Sequence, residues 1–228
     1  MALTFRTFRA RSGRDAELLD ALRRVAVERL RFGTGSAVVC RTQDPQEMVW
    51  VGTQDAGPGI PDGGLDDALA AAAPAFSLRF LDGWYRLPAP PYQIWNLEVH
   101  AAGDDALETL KGLFELSRWE RGRSHVVGRW IYRAIEDPSV LIGFVGLTRA
   151  WLRRNEVARL GRTEGIDRAV IWRPLVIVYQ VERAPGGAPR ASAGEEAPHV
   201  PFWARAAAPP TPSMALATPD ATSVAWNR

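Results

Sequence analysis

The stretch YQIWNLEVH, residues 92–100, gathers an amide, a carboxylate and an imidazole within five positions. In an extended strand, successive side chains point to opposite faces. Ile94, Asn96, Glu98 and His100 then share one face, and Trp95, Leu97 and Val99 share the other. Asn96 becomes a polar side chain in mid-strand, on a sheet that should be covered on both sides. A buried amide must find hydrogen bonds. Either Asn96 is placed to bind a substrate oxygen or an oxyanion, or it bonds to nearby backbone.

His125 opens another strand, HVVGRWIYR, where a pocket mouth would leave room for a proton-transfer group. The alternative is a solvated strand-end histidine. Trp130 and Tyr132 share a face of that strand. With nine tryptophans in the chain, most must be core, and a fraction could line a cavity for a flat aromatic ligand. The residues singled out for catalysis are Asn96, His125 and Trp130. Trp95, Tyr132 and Arg129 are candidate substrate contacts.

Other chemistries find little support. Three histidines and one cysteine lie far apart, with no metal-ligand spacing, so no metal is expected. Cys40 sits among valines and reads as a buried, inert thiol. The glycine-rich GPGIPDGG (57–64) lacks the context of a phosphate loop, and no G-x-S-x-G is present. The formal net charge is +2, with arginines interspersed among acidic residues. That is no basic stripe for nucleic acid. The longest apolar run of note, VLIGFVGL, is far short of a membrane helix of roughly 20 residues. The arginine-rich N-terminus has no apolar signal core. The expectation is a cytoplasmic protein with no nucleic-acid or membrane partner.

The elements that must position these residues occur twice. LTFRTFRA is a strand. GRDAELLDALRRVAVERLRFG is an amphipathic helix, with Leu18, Leu19, Leu22, Ala26 and Leu30 at helical spacing. SAVVCRTQ and EMVWVGTQ are strands joined by an Asp44-Pro45 turn. LDDALAAAAPAF (65–76) reads as an alanine-rich helix, and SLRFLDGWYRLP as a strand interrupted at Asp82-Gly83. The second copy follows Pro88–Pro91: strand 92–101, helix 103–122, strand 125–137, an Asp137-Pro138 turn, strand 140–147, a helix from Thr148, and a long strand 169–183. The order is β-α-β-β-α-β both times. SAVVCR and SHVVGR align Ser36 with Ser124, 124 − 36 = 88 positions apart, and Trp84 with Trp172, also 88 apart. The Asp-Pro turns are 137 − 44 = 93 apart, which implies extra residues, WIYRA, in the second hairpin. On this alignment Arg41 matches Arg129, which suggests an ion pair at a barrel seam.

Each β-α-β-β-α-β unit is a ferredoxin-like motif whose helices cover one sheet face. Two such sheets packed face to face cover each other and form a barrel. The expected architecture is α+β, with repeats over 1–88 and 89–184. Residues 185–228 read as a flexible Pro/Ala-rich tail that cannot offset its own ordering entropy. The tail holds two aromatic islands, VPFWAR and VAWNR. Phe202, Trp203 and Trp226 are candidate partner-binding anchors, beside arginines; the alternative is that they fold back onto the chain's own barrel.

The order of elements, the paired Asp-Pro hairpins and the TRAW start of the last helix (148–151) resemble the dimeric α+β barrel superfamily in tandem form. Within it the chain looks most like proteins related to antibiotic biosynthesis monooxygenases, over about residues 3–183. The resemblance implies a small-molecule oxygenase-like enzyme acting on an aromatic or polyketide-like substrate. Asn96, with Trp95, Trp130 or Trp151, would then help form a substrate carbanion and reduce O₂. Haem-degrading relatives resemble this chain in the Asn and a helix Trp, here Trp151, but that helix offers Asn155 where they carry a His. The implied cofactor is therefore none, with haem disfavoured. The alternative is a non-catalytic barrel scaffold or ligand-binding protein whose tail binds a partner or a second copy. The second repeat carries Asn96 and His125, so any pocket is expected there.

Overall fold

The computed structural model describes residues 3–31, 34–53, 70–73, 75–86, 93–148, 170–193 and 201–203. The strands and helices run β1 (Leu3–Ala10), α1 (Asp15–Arg29), β2 (Gly35–Arg41), β3 (Glu47–Thr53), β4 (Ala70–Ala72), β5 (Phe76–Tyr85), β6 (Gln93–Ala101), α2 (Ala106–Arg121), β7 (Val126–Ala134), β8 (Val140–Thr148), β9 (Val170–Arg183) and β10 (Arg190–Ala193). A single 3₁₀ turn, Gly103–Asp105, leads into α2.

The first half orders its strands β2-β3-β1-β5, and the second repeats the pattern as β7-β8-β6-β9. Every pairing is antiparallel. The two sheets join edge to edge: β5 pairs β7, and β9 pairs β2. With β9 also paired to β6, eight strands close into a ring. The closure leaves no free edge in that ring, which removes the usual hazard of exposed strand edges.

Alternation along the strands sorts the core. One face of each strand turns inward, giving Phe5, Val38, Val51, Leu78, Leu97, Trp130, Phe144 and Leu175 to a single cluster inside the barrel. The other face meets the helices. The i, i+4, i+8 stripe of Leu18, Leu22 and Ala26 packs on Phe8, Val39 and Trp50, while Arg14–Glu17 and Asp20–Arg23 pairs lie on the solvent side. In α2 the stripe facing the sheet is Leu113, Leu116, Ser117 and Glu120. It begins apolar, against Ile131 and Leu141, and ends polar.

The ladders correct the sequence alignment of the two halves. Inside the barrel Phe5 stands opposite Val51, which stands opposite Val38. The same places hold Leu97, Phe144 and Trp130. The true offsets are 97 − 5 = 92 and 144 − 51 = 93, the spacing of the Asp-Pro turns. For Ser36 and Ser124 the offset of 88 is a four-residue slip; Trp84, opposite Arg129, matches Val181, opposite Ala37, so pairing it with Trp172 is off by 97 − 88 = 9. The second hairpin is longer by one residue only, since Arg41 pairs Met48 and Arg133 pairs Leu141. Arg129 therefore matches Ala37, not Arg41, whose counterpart is Arg133.

Two further elements depart from expectation. Ala70–Ala72, read as helix, pairs in extended form with Phe8–Ala10 of β1; the rest of 65–69 lies outside the described residues. Pairing along an open stretch of β1 outweighs alanine's helix preference, which is a weak local bias. Arg190–Ala193, expected in the tail, returns along β9 as β10, after a turn in which Gly186 takes φ 71°. The helix expected from Thr148 lies outside the described residues beyond Thr148 itself, which ends β8. Among the described residues no helix is long and apolar enough to cross a membrane.

Candidate functional site

The alternation expected for β6 holds. Trp95 and Leu97 turn into the barrel, while Asn96, Glu98 and His100 lie on the helix-facing side, each buried. On that side β6 is separated from β7 by β8, and the route between them crosses Gly143. Glu98 pairs with Gly143 in the ladder, and Gly143 pairs with Ile131. A β-carbon on Gly143 would lie 2.8 Å from Glu98 Oε2. The missing side chain is what lets the Glu98 carboxylate reach over β8 to Arg129. In the first half the matching position is Trp50, buried under α1. Gly143→Ala should therefore push Glu98 off its partner and destabilise the fold by about 1–3 kcal/mol, as overpacked sites do. A urea titration reads this as a lower midpoint at constant slope.

Arg129 sits at the centre of a fully buried cluster. Its Nη1 and Nη2 donate to Glu98 Oε2 and Oε1 at 2.6 and 3.0 Å. Its Nε and Nη2 donate to Glu120 Oε2 and Oε1, at 2.5 and 2.8 Å. One planar guanidinium thus holds two carboxylates in bidentate fashion, one from the sheet and one from α2. His100 Nε2 lies 3.4 Å from Glu98 Oε2. Ser117, one helical turn before Glu120, accepts from Trp84 Nε1 at 3.1 Å and donates to Asp82 Oδ2 at 3.3 Å. At the corresponding strand positions the first half has Thr4, Arg6, Phe8 and Ala37, so this charge cluster has no twin.

The two carboxylates differ in acidity. Burial alone would raise Glu98, but the Arg129 charge, with hydrogen bonds from His100 and Arg129, holds it below the usual carboxylate range. Burial pushes Glu120 above that range despite the pull of Arg129. Against its own burial, the two carboxylates keep Arg129 charged.

Asn96 is next along the same strand face. It is 3% exposed, and its Oδ1 has no hydrogen-bond partner. His125 is half-buried in the turn before β7, close enough for its charge to bear on Glu120. Its backbone carbonyl accepts from Thr148 N at 2.9 Å.

The other candidates lie elsewhere. Trp95, Trp130 and Tyr132 are inside the barrel, with Trp95 and Trp130 rings 5.2 Å apart. The sheet itself therefore separates them from Asn96 and Arg129. Room for these indoles comes from glycines: a β-carbon on Gly146 would meet the Trp95 ring at 2.9 Å, and one on Gly83 the Trp130 ring at 2.8 Å. Phe202 and Trp203 are also in the barrel interior, Trp203 against Phe144 at 4.7 Å and Trp95 at 6.2 Å between centroids. Of the two dockings considered for this island, the one seen is on the chain's own barrel, which leaves neither ring accessible to a partner. Trp151 and Trp226 lie outside the described residues. Glu120 escaped the sequence reading. Its one signal was a charge at i+7 from Leu113, on the stripe that otherwise faces the sheet. Among the described residues no group of three His, Cys, Asp or Glu side chains is arranged to hold a metal ion.

Two ferredoxin-like sheets closed into one antiparallel ring decide the architecture. The fold is that of the dimeric α+β barrel proteins. Solved structures agree with this α+β barrel assignment. A provisionally named monooxygenase of Fusobacterium nucleatum superposes with a TM-score of 0.52 over 83% of this chain and 96% of its own, at 7% identity. An anthrone oxidase-like protein superposes with a TM-score of 0.59 over 78% of this chain and 92% of its own, at 10% identity. At such identities the likeness is one of fold. No family model and no curated protein matches the sequence. In this α+β barrel both sheets come from one chain.

Proposed function

We propose that the protein is a monooxygenase-like enzyme for a hydroxylated aromatic small molecule, bound on the helix-facing side of β6. The observation that carries this is the unpaired, buried Oδ1 of Asn96. An unmet buried acceptor is costly, and a substrate hydroxyl donating to it would remove that cost. The substrate class draws on the similar folds, one of them named for an anthrone oxidase. An anthrone-type substrate has an acidic C–H and an electron-rich ring, so it can supply the electrons itself: R₂CH₂ + O₂ gives R₂C=O + H₂O. On this reading no cofactor is called for. Asn96 orients the substrate oxygen, and a substrate that extends from it across β8 to the start of β7 would hand its C–H proton to His125, which lies beside Thr148. The sheet stands between this side and Trp130, so the indoles inside the barrel take no part.

The test is aerobic turnover of an anthrone, with O₂ consumption matched to product. Asn96→Ala should lower kcat/KM by about 10²-fold, the usual scale for losing one positioned hydrogen-bonding group, with no fall in Tm. Neither turnover nor binding of the anthrone would overturn the reading and leave a non-catalytic barrel.

A further inference from the structure

The charges in the cluster do not balance. Glu98 and Glu120 bring two negative charges and Arg129 one positive, and His100 is neutral or singly positive. The four side chains are between 0% and 4% exposed, so water does little to screen a remainder. With the imidazole neutral and both carboxylates ionised, one negative charge is sealed between α2 and the sheet. An uncompensated buried charge is among the most destabilising features a fold can carry.

No neighbouring group supplies the missing positive charge among the described residues. On β8 the facing positions are Leu141, Gly143 and Val145. On β9 the residues paired with His100, Glu98 and Asn96 are Val170, Trp172 and Pro174, none of them titratable. Arg173 belongs to the other face and pairs with Glu47. On β7 the next arginine of that face is Arg133, beyond Ile131. From α2 come Leu113, Leu116 and Ser117; Ser117 is already engaged with Trp84 and Asp82, and Asp82 also meets Arg121 at 3.6 Å. His125 approaches Glu120 from the turn but is half-exposed, so solvent screens it from the cluster.

We infer that the cluster of Glu98, His100, Glu120 and Arg129 binds one proton as a unit, and that this proton fastens α2 to the sheet. The proton belongs to the group and not to one residue, passing between the Glu98–His100 contact and Glu120. Burial raises the pKa of Glu120, which agrees with this. Its loss leaves two carboxylates, one per layer, competing for a single guanidinium. The layer interface that holds α2 is then weakest beside Asn96. The inference concerns charge balance alone and stands whether or not Asn96 binds substrate.

The sign follows from linkage. A group with a raised folded value stabilises fully below its unfolded value, and that contribution is lost as pH rises through the folded value. Glu98, held low, behaves oppositely: its contribution is present above its unfolded value and lost as pH falls through the folded one. Stability should peak between the two, with an alkaline limb set by the shared proton. Across that limb one proton is released on unfolding, so the folding equilibrium constant drops tenfold per pH unit.

The experiment is urea unfolding of the full chain from pH 5 to 9, for wild type, Glu120→Gln and Glu98→Gln. Each substitution removes one negative charge and keeps the side chain's shape, so the cluster is neutral without an added proton. Both variants should lose the alkaline limb, and Glu120→Gln should match or exceed wild type at pH 9. If the limb persists unchanged in both variants, the inference fails. Should one variant not fold, the other reads the same limb. Proton release on unfolding, followed with an indicator dye at a pH on the descending limb of wild type, gives a second measurement. About one proton more than for Glu120→Gln or Glu98→Gln, whichever folds, supports the inference. An equal release overturns it.

Discussion

Arg129→Ala is expected to remove much of the protein's stability and lower its urea midpoint sharply. Removing one partner of a buried ion pair costs about 3–5 kcal/mol, because the other partner is stranded. Here one substitution strands two carboxylates and empties four hydrogen bonds. Total stabilities of domains run about 5–15 kcal/mol, so a loss at or above the single-pair figure consumes much of the reserve. Arg129→Lys should rescue little: an ammonium is a point charge and cannot hold two carboxylates in bidentate geometry. Replacing the whole set, as Glu98→Leu, Arg129→Met and Glu120→Leu together, should recover most of the lost stability, since a packed apolar set carries no desolvation cost. Circular dichroism through a urea titration separates these cases. An Arg129→Ala protein with an unchanged urea midpoint would show that the cluster is better hydrated than its burial implies.

Trp203→Ala should lower stability by about 3–5 kcal/mol, the range for truncating a buried large aromatic. Trp203 is 1% exposed and fills the space between Phe144 and Trp95. For a chain of this size each kcal/mol shifts Tm by about 2–4 °C, so a drop of about 6–20 °C is expected. Trp203→Phe should cost much less, because the indole Nε1 has no hydrogen-bond partner to lose. Near-ultraviolet circular dichroism should change with either substitution, as the interior rings re-pack. A Trp203→Ala protein with unaltered Tm would mean that residues 201–203 do not hold the barrel.

Much of the architecture was legible because strand alternation and helical spacing report burial directly. The faces of β6 followed from counting by two. The doubled element order followed from reading strands and helices one by one, while the 93-residue spacing of the Asp-Pro hairpins, put down to extra residues, was the correct register beyond the turn. The matching SxVVxR motifs misled by four positions. An even slip preserves which residues face inward, so the core assignment survived while the pairing of Arg41 with Arg129 did not. The site was harder to read. Arg129 and Trp130 are neighbours in sequence but sit on opposite sides of a sheet. Tertiary closure also decides that Glu120 turns inward, and that Gly143 is a passage and not merely a small residue. No local pattern carries either fact.

The edge-to-edge joining of the halves has a consequence for biosynthesis. Gly35 pairs with Arg183, 183 − 35 = 148 residues later. Until β9 has left the ribosome, β2 has no neighbour on its outer side, and until β7 appears β5 has none either. The first sheet must wait with an apolar inner face and two unmet edges. Contacts this distant in sequence form slowly, and a waiting sheet of this kind pairs readily with another copy of itself. Because the halves share one topology, an unfinished chain offers its neighbour the very edges that the second half is built to occupy. Covalent linkage of the halves sets their effective concentration high enough for the proper partner to arrive first. The duplicated chain is thus as much a timing device as a scaffold.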